Sequence, residues 1–305
     1  MNDIPQLIEK IQSGDFKALA RAVSLVENES AGSEELLQSI SVRKIPVIGI
    51  TGPPGAGKST LLNGLISHLV KRNLKIGVIT VDPTSPFNLG SLLGDRIRMK
   101  EHFNHENVFI RSLATRGSLG GLSDKIIEVT DVMKTAPFDY LFVETVGVGQ
   151  SEVEIAGLAD TTIIVFVPQA GDEIQTMKAG LMEIADIFVV NKSDNPDSEQ
   201  FAKSLKMLAD SKSFSENERS VWQIPVIKTI ATSNQGIEEL FEQIEKHQSS
   251  GIKNERQVYL VTEKIWRLIV KQRMKDVDRK QLQSEIAEAM KGGNFNAFQF
   301  AKSKY

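Results

Sequence analysis

No cysteine occurs among the 305 residues. That excludes disulfides, thiolate metal sites and thiol catalysis together. Long hydrophobic runs are missing too: no stretch approaches 18 apolar residues, so no transmembrane helix is expected. The N-terminal "MNDIPQLIEKIQSGDFKALA" is amphipathic and carries acids, unlike a signal peptide. Nor is one sign of charge in excess. Lys and Arg number 36 against 39 Asp and Glu, a net charge of −3, which disfavours nucleic acid as the main partner. Internal repeats and low-complexity tracts are also missing. The expectation is a cytoplasmic protein with no membrane partner, or a mitochondrial matrix protein if a leader has been removed.

The remainder is ordinary globular composition, 41% apolar and 25% charged, and long enough for one large α/β domain with appendages. Within residues 1–42, Leu7, Ile8, Ile11, Phe16, Leu19, Val23 and Val26 recur at helical spacing and predict a helical N-terminal extension. "NESAGSEE" interrupts it, with Ser33 as the expected N-cap of a helix over 34–41. From 43 to 248, seven Val- and Ile-rich runs alternate with amphipathic stretches. They are "IPVIGIT" (45–51), "KIGVITVD" (75–82), "NVFIRS" (107–112), "YLFVET" (140–145), "TIIVFV" (162–167), "IFVVNK" (187–192) and "IPVIKTIA" (224–231). Unbroken runs of this kind suit parallel strands covered on both faces, and their alternation with helices predicts a doubly wound α/β sheet.

Residues 249–305 form the third region, with no strand signals over 255–291. Val258, Val261, Ile265 and Leu268 follow the 3-4-3 spacing of a heptad seam, beside Tyr259 and Trp266. Two uses fit: packing on its own domain, or a dimerisation arm about 30 Å long. The tail "KGGNFNAFQFAKSKY" is lysine-rich and short, and disorder is expected at its end.

"GITGPPGAGKSTLLNGL" contains Gly52-x-x-x-x-Gly57-Lys58-Ser59 between an apolar strand and a helix, the context of a P-loop. Gly52, Gly55 and Gly57 would let backbone N–H groups curl around the β-phosphate at a helix start, with Pro53, Pro54, Ala56 and Thr60 completing the nucleotide-binding loop. Lys58 would reach the β- and γ-phosphates, and Ser59 is an expected Mg²⁺ ligand. A P-loop does not name the base. Asn191-Lys192-x-Asp194, after the sixth run, does so. Asp194 can accept two hydrogen bonds from guanine, whereas adenine would leave a buried carboxylate unpaired. Ala231, in "ATSNQG", is expected to close over the base through its backbone.

Several acids can serve the metal. Asp82 ends the second run, though it also suits a turn before Pro83. Asp95, in "GSLLGDRIRM", fits either a metal role or an N-cap. Glu144 ends the strand that should carry a Walker B acid, and is followed by Thr145, Val146 and Gly147 where Asp-x-x-Gly is usual. Its extra methylene moves the carboxylate about 1.5 Å further from the strand. Glu144 is therefore expected to hold Mg²⁺ through water, or only once its loop closes on a partner.

"GPPGAGKST", "VDPTSP", "LLGDRIRM", "IRSLATRGSLGG", "ETVGVGQSE", "PQAGDEIQ" and "NKSD", in this order over roughly residues 40–235, resemble the methylmalonyl-CoA-mutase-associated GTPases, the MeaB/ArgK family. The flanks fit that family's N-terminal extension and C-terminal dimerisation arm. The resemblance implies a homodimeric GTPase that chaperones an adenosylcobalamin-dependent acyl-CoA mutase, gating cofactor loading and protecting the enzyme. It places Lys58, Ser59, Asp82 and Glu144 at GTP/GDP and Mg²⁺, and Asp95 and Arg98 in a first switch. Asp172, Glu173, Gln175 and Lys178 of "QAGDEIQTMK" would form a third switch that senses the mutase.

Lys58, Glu144 and Gln150 are the expected catalytic set. No glutamine directly follows Gly147, so slow intrinsic hydrolysis, raised by a partner, is expected. Arg98, Arg111 and Arg116 fit phosphate or interface contacts and structural roles alike. "RGSLGGLS" (116–123) reads as a hinge or an ordinary connection. His102 and His105 are expected at the surface, not on a metal. Two other functions compete. One is a nickel-type metal-insertion GTPase, disfavoured by zero Cys and four scattered His. The other is an amino-acid-transport-associated P-loop kinase or ATPase, which would not need Asn-Lys-x-Asp.

Overall fold

A computed structural model describes residues 3–82, 99–114, 125–145, 151–168, 184–213, 222–251, 255–274, 277–293 and 295–304. All seven apolar runs become strands: β1 Val47–Thr51, β2 Ile76–Asp82, β3 Val108–Ala114, β4 Tyr140–Glu144, β5 Thr161–Phe166, β6 Ile187–Val190 and β7 Val226–Lys228. They pair in parallel in the order β3-β2-β4-β1-β5-β6-β7. β1, β5 and β6 are buried along their whole length. Hence they show no apolar–polar alternation: helices cover both faces.

One face is covered by α4 (Lys58–Lys71) and α8 (Ile237–Ser249). There Leu61, Leu62 and Leu65 share a core with Ile48, Ile50, Phe142, Leu240 and Phe241. On the other, α7 (Ser198–Ser213) brings Phe201, Leu205 and Ala209 against Ile164, Phe166 and Phe188. α5 (Ile126–Met133) and α6 (Ser151–Leu158) continue that layer, Met133 facing Gly77 and Ile155 facing Gly49.

The N-terminal helices α1 (Ile4–Gln12), α2 (Phe16–Glu27) and α3 (Ser33–Ser39) belong to the same compact unit, Met1–Val258. Asp3 and Asp15 cap α1 and α2 through their carboxylates. Phe16 packs on Phe109 and Phe138, with centroids 5.5 and 5.9 Å away. α3 starts one residue earlier than Ser33 as N-cap would require. Gly32 takes the cap position with a left-handed φ of +92°, which places Ser33, buried, inside the helix.

The second unit, Tyr259–Tyr305, is helical. α9 (Glu255–Arg273) runs across the unit boundary, followed by α10 (Arg279–Lys291) and α11 (Ala297–Lys302). Within the tail, Ala297–Lys302 forms α11. Asn296 starts it by accepting from Phe298 and Gln299 N–H, so a local side-chain cap supplies what tail composition concealed. No helix among the described residues is long and apolar enough to cross a membrane.

Candidate nucleotide site

Strand register gathers the expected site along the C-terminal rim of the sheet. Ile50 of β1 lies beside Glu144 of β4, which lies beside Thr80 of β2. β4, β2 and β3 extend to one side of β1, and β5, β6 and β7 to the other. Loops leaving the rim therefore open a crevice around the end of β1, where open α/β sheets bind ligands.

The loop 52–57 is shaped by two glycines that no other residue could replace. At Gly52, φ is +138° and a Cβ would lie 2.2 Å from the carbonyl oxygen of Val165. At Gly57, φ is +86° and a Cβ would lie 2.4 Å from Asn191 Nδ2. Close backbone approach, rather than turn flexibility alone, dictates these positions. Pro54 and Gly55 are exposed at the loop crest, and Thr60 is half-buried in the first turn of α4. The N-terminal end of α4 points its partial positive charge into the loop.

Lys58 is buried and its Nζ donates to the carbonyls of Gly52 and Pro53 at 2.9 and 3.1 Å. The ammonium is thus held inside the loop, above the phosphate cradle. Ser59 and Glu144, each 3% exposed, meet directly: Ser59 Oγ donates to Glu144 Oε1 at 2.7 Å. A hydroxyl and a carboxylate at one buried point are the hard oxygen donors a magnesium ion takes. Asp82, also expected at the metal, ends β2 opposite Ala114 of β3. Gly147, Gln150, Asp95, Arg98, Arg116, Asp172, Glu173, Gln175 and Lys178 lie outside the described residues.

Asn191 does more than the sequence suggests. Its side chain, 2% exposed, donates from Nδ2 to the Ala56 carbonyl at 2.9 Å. Its Oδ1 accepts from the Ala231 N–H and from Thr229 Oγ1, each at 3.1 Å. One amide therefore joins the phosphate loop to the loop after β7. Lys192 turns the chain with φ +56°, leaving itself and Asp194 exposed on the rim.

A threonine pair escaped sequence reasoning. Thr145 Oγ1 donates to Thr51 Oγ1 at 2.8 Å, and Thr145 N–H donates to the Ile50 carbonyl at 3.1 Å. The first residue after Glu144 is thereby tied to the last residue of β1. The available signal was a threonine ending both "GIT" and "VET".

One expectation is corrected and one choice decided. His102 is buried: its Nε2 meets Ser67 Oγ of α4 at 3.1 Å, so it packs on the P-loop helix instead of facing water. Of the roles left open for Arg111, the structural one is seen. Arg111 pairs with Glu27 and donates to Ser24 at 3.2 Å, both on α2, because its mid-strand position faces the N-terminal helices.

Residues 19–285 match the family model described as "Methylmalonyl Co-A mutase-associated GTPase MeaB". A protein of Pyrococcus abyssi named as a GTPase is 50% identical over 246 residues, spanning 80% of this chain and 76% of that protein. GTPase ArgK of Escherichia coli is 36% identical over 247 residues, 79% of this chain and 75% of its own. The mouse mitochondrial methylmalonic aciduria type A homolog is 32% identical over 268 residues, 80% and 63% respectively. Among solved structures, that of a protein described as a LAO/AO transport system kinase superposes with a TM-score of 0.68 at 26% identity. It covers 99% of this chain and 97% of its own.

Proposed function

This chain belongs to the methylmalonyl-CoA-mutase-associated GTPase family, and we propose that its GTPase cycle serves an adenosylcobalamin-dependent acyl-CoA mutase, gating cofactor loading and protecting the enzyme. The family description and the mouse relative's name support the mutase as partner class. The observation that carries guanine-nucleotide use is the Asn191 amide, which ties the phosphate loop to the loop expected over the base. A small-molecule kinase would not need Asn191-Lys192-x-Asp194, so the kinase name of the solved relative does not transfer as an activity.

In this reading the Gly52–Gly57 backbone and the start of α4 bind the phosphates, and Lys58 turns from the Gly52 and Pro53 carbonyls to the β- and γ-phosphates. Asp194 reads guanine by accepting from its N–H groups, and the Ala231 backbone closes over the ring. Ser59 and Glu144, with Asp82 at the neighbouring strand end, would hold Mg²⁺. When bound, that ion neutralises charge developing on the phosphates. Asp95, Arg98, Gln150 and the acids at 172 and 173 belong to segments that answer to the partner, with Gln175 and Lys178. The protein acts in the cytoplasm as a homodimer, and α9 leaves the seam residues Val258, Val261, Ile265 and Leu268 exposed for pairing.

The decisive experiment measures GTP turnover alone and with adenosylcobalamin-dependent acyl-CoA mutases, alongside complex formation. Slow turnover alone, accelerated by one mutase, is expected. Rates of roughly ten per second without a partner, the range of a fully stimulated GTPase, would defeat this reading, as would indifference to every mutase. Lys58→Ala should abolish turnover; retained hydrolysis would show the loop assignment to be wrong.

A further inference from the structure

The loop after β7 is a closed ring. Ile230 and Gln235 exchange backbone hydrogen bonds of 3.1 and 3.3 Å around a single 3₁₀ turn, Ala231–Ser233. Asn234 takes a left-handed φ of +58° before the chain enters α8 at Ile237. Asn191 holds one side of this ring. The other side rests on the middle of α4, where the helix presents no side chain. A Cβ on Gly64 would lie 2.8 Å from Asn234 Oδ1, and 3.1 and 3.2 Å from Cδ1 and Cγ1 of Ile237. Glycine is unfavourable inside a helix, so a contact must account for its place here. That helix also carries Lys58 and Ser59 at its start.

We propose that Gly64 is a positioning residue for guanine nucleotide: its missing side chain sets the height of the 230–236 ring above α4, and so the spacing between base loop and phosphate loop. The proposal rests on the reading that Ala231 and its neighbours contact the base. Asn234 is exposed and its amide can swing away from an added methyl. Ile237 cannot, being 2% exposed in the core it shares with Leu61, Leu65 and Ala231. A methyl at 64 therefore pushes on the first residue of α8 and, through it, on the ring.

The test uses the full chain, a fluorescent GDP, and tripolyphosphate as a ligand with phosphates but no base. Gly64→Ala should weaken GDP binding about tenfold, the size of one modest steric penalty, and leave tripolyphosphate binding within about twofold. Adding Ile237→Val, which removes the Cδ1 that lies 3.1 Å from the new Cβ, should restore most of the GDP affinity. A merely structural role would weaken both ligands alike. Unchanged GDP affinity in Gly64→Ala, or parallel loss of both ligands, overturns the proposal. If Gly64→Ala does not fold, the double variant decides: folding with parental affinity supports the proposal, and failure to fold overturns it. GDP against ADP is measured on the parent as well. No preference there removes the base-loop reading itself, whereas a clear preference with an indifferent Gly64→Ala removes only the role of Gly64.

Discussion

At the rim of the sheet the Ser59 hydroxyl and the Glu144 carboxylate lie 2.7 Å apart, both out of water. Shortening the acid by one methylene withdraws it about 1.5 Å, beyond hydrogen-bond reach of Ser59. Glu144→Asp should therefore raise the Mg²⁺ concentration for half-maximal GTP turnover about tenfold, a step of one lost polar contact. A titration that superimposes on the parent's would count against a metal role. Asn191 is the other decisive residue. Its replacement by alanine deletes three buried hydrogen bonds, each worth about 1 kcal/mol net. Asn191→Ala should lower stability by about 3 kcal/mol and weaken GDP binding more than tenfold. Calorimetry and chemical denaturation read the two effects separately, and parental GDP affinity would refute the tie between the loops. Here the sequence singled out Asn191 for a base and was silent on the loops it joins. An Asn-Lys-x-Asp string points to a base; that its amide also grips Ala56 depends on two loops 135 positions apart meeting.

Among elements, α2 shows how the N-terminal extension joins the sheet. Arg111 of β3 reaches Glu27 and Ser24 of α2, while Lys125, just before α5, pairs with Glu29 beyond the end of α2. Arg111 is about one-quarter exposed and Glu27 one-tenth. Arg111→Met keeps the aliphatic stem and leaves Glu27 without this guanidinium, so it should cost about 2 kcal/mol. Protease sensitivity within α1–α3 should rise with it. Unaltered stability would show that the Phe16 contacts alone hold the extension. The helical period of residues 4–27 was plain in the sequence, as was each strand, because burial on both faces imposes unbroken apolar runs. Which helix Arg111 would face was not, since that is a matter of packing order.

For the whole molecule, acid should be destabilising well above the carboxylate range. His247 is buried with Thr161 Oγ1 at 2.8 Å from Nδ1, Asp186 Oδ1 at 3.5 Å from Nε2, and the Trp222 ring 4.9 Å away. Burial holds its pKa below the usual 6.5, outweighing the opposing pull of Asp186 and Asp160. His102 and His68 are lowered too, first by burial, with Arg72 adding to the effect at His68. Below about pH 6.5 the unfolded chain takes up protons that these folded sites refuse, so stability declines as pH falls. Thermal midpoints should drop steadily from pH 7.5 to 5.5, and His247→Gln should flatten the slope; a midpoint constant over that window would disprove it. The proposed homodimer pairs through α9. With Val261, Ile265 and Leu268 each more than two-fifths exposed, Ile265→Lys with Leu268→Lys should convert a dimer to a monomer in sedimentation equilibrium. Persistence of the dimer would move the interface elsewhere.

The amino-acid order alone determined the seven strands, the phosphate loop and the guanine signature. Each is a local pattern, set by backbone geometry or by a few neighbouring residues. Tertiary structure decided what those patterns touch. It brought Ser59 to Glu144, joined Thr51 to Thr145, turned His102 inward, and set Gly64 beneath Asn234 and Ile237. Such contacts join residues far apart in the chain, and they arise only when parallel strands place their C-terminal ends along one rim.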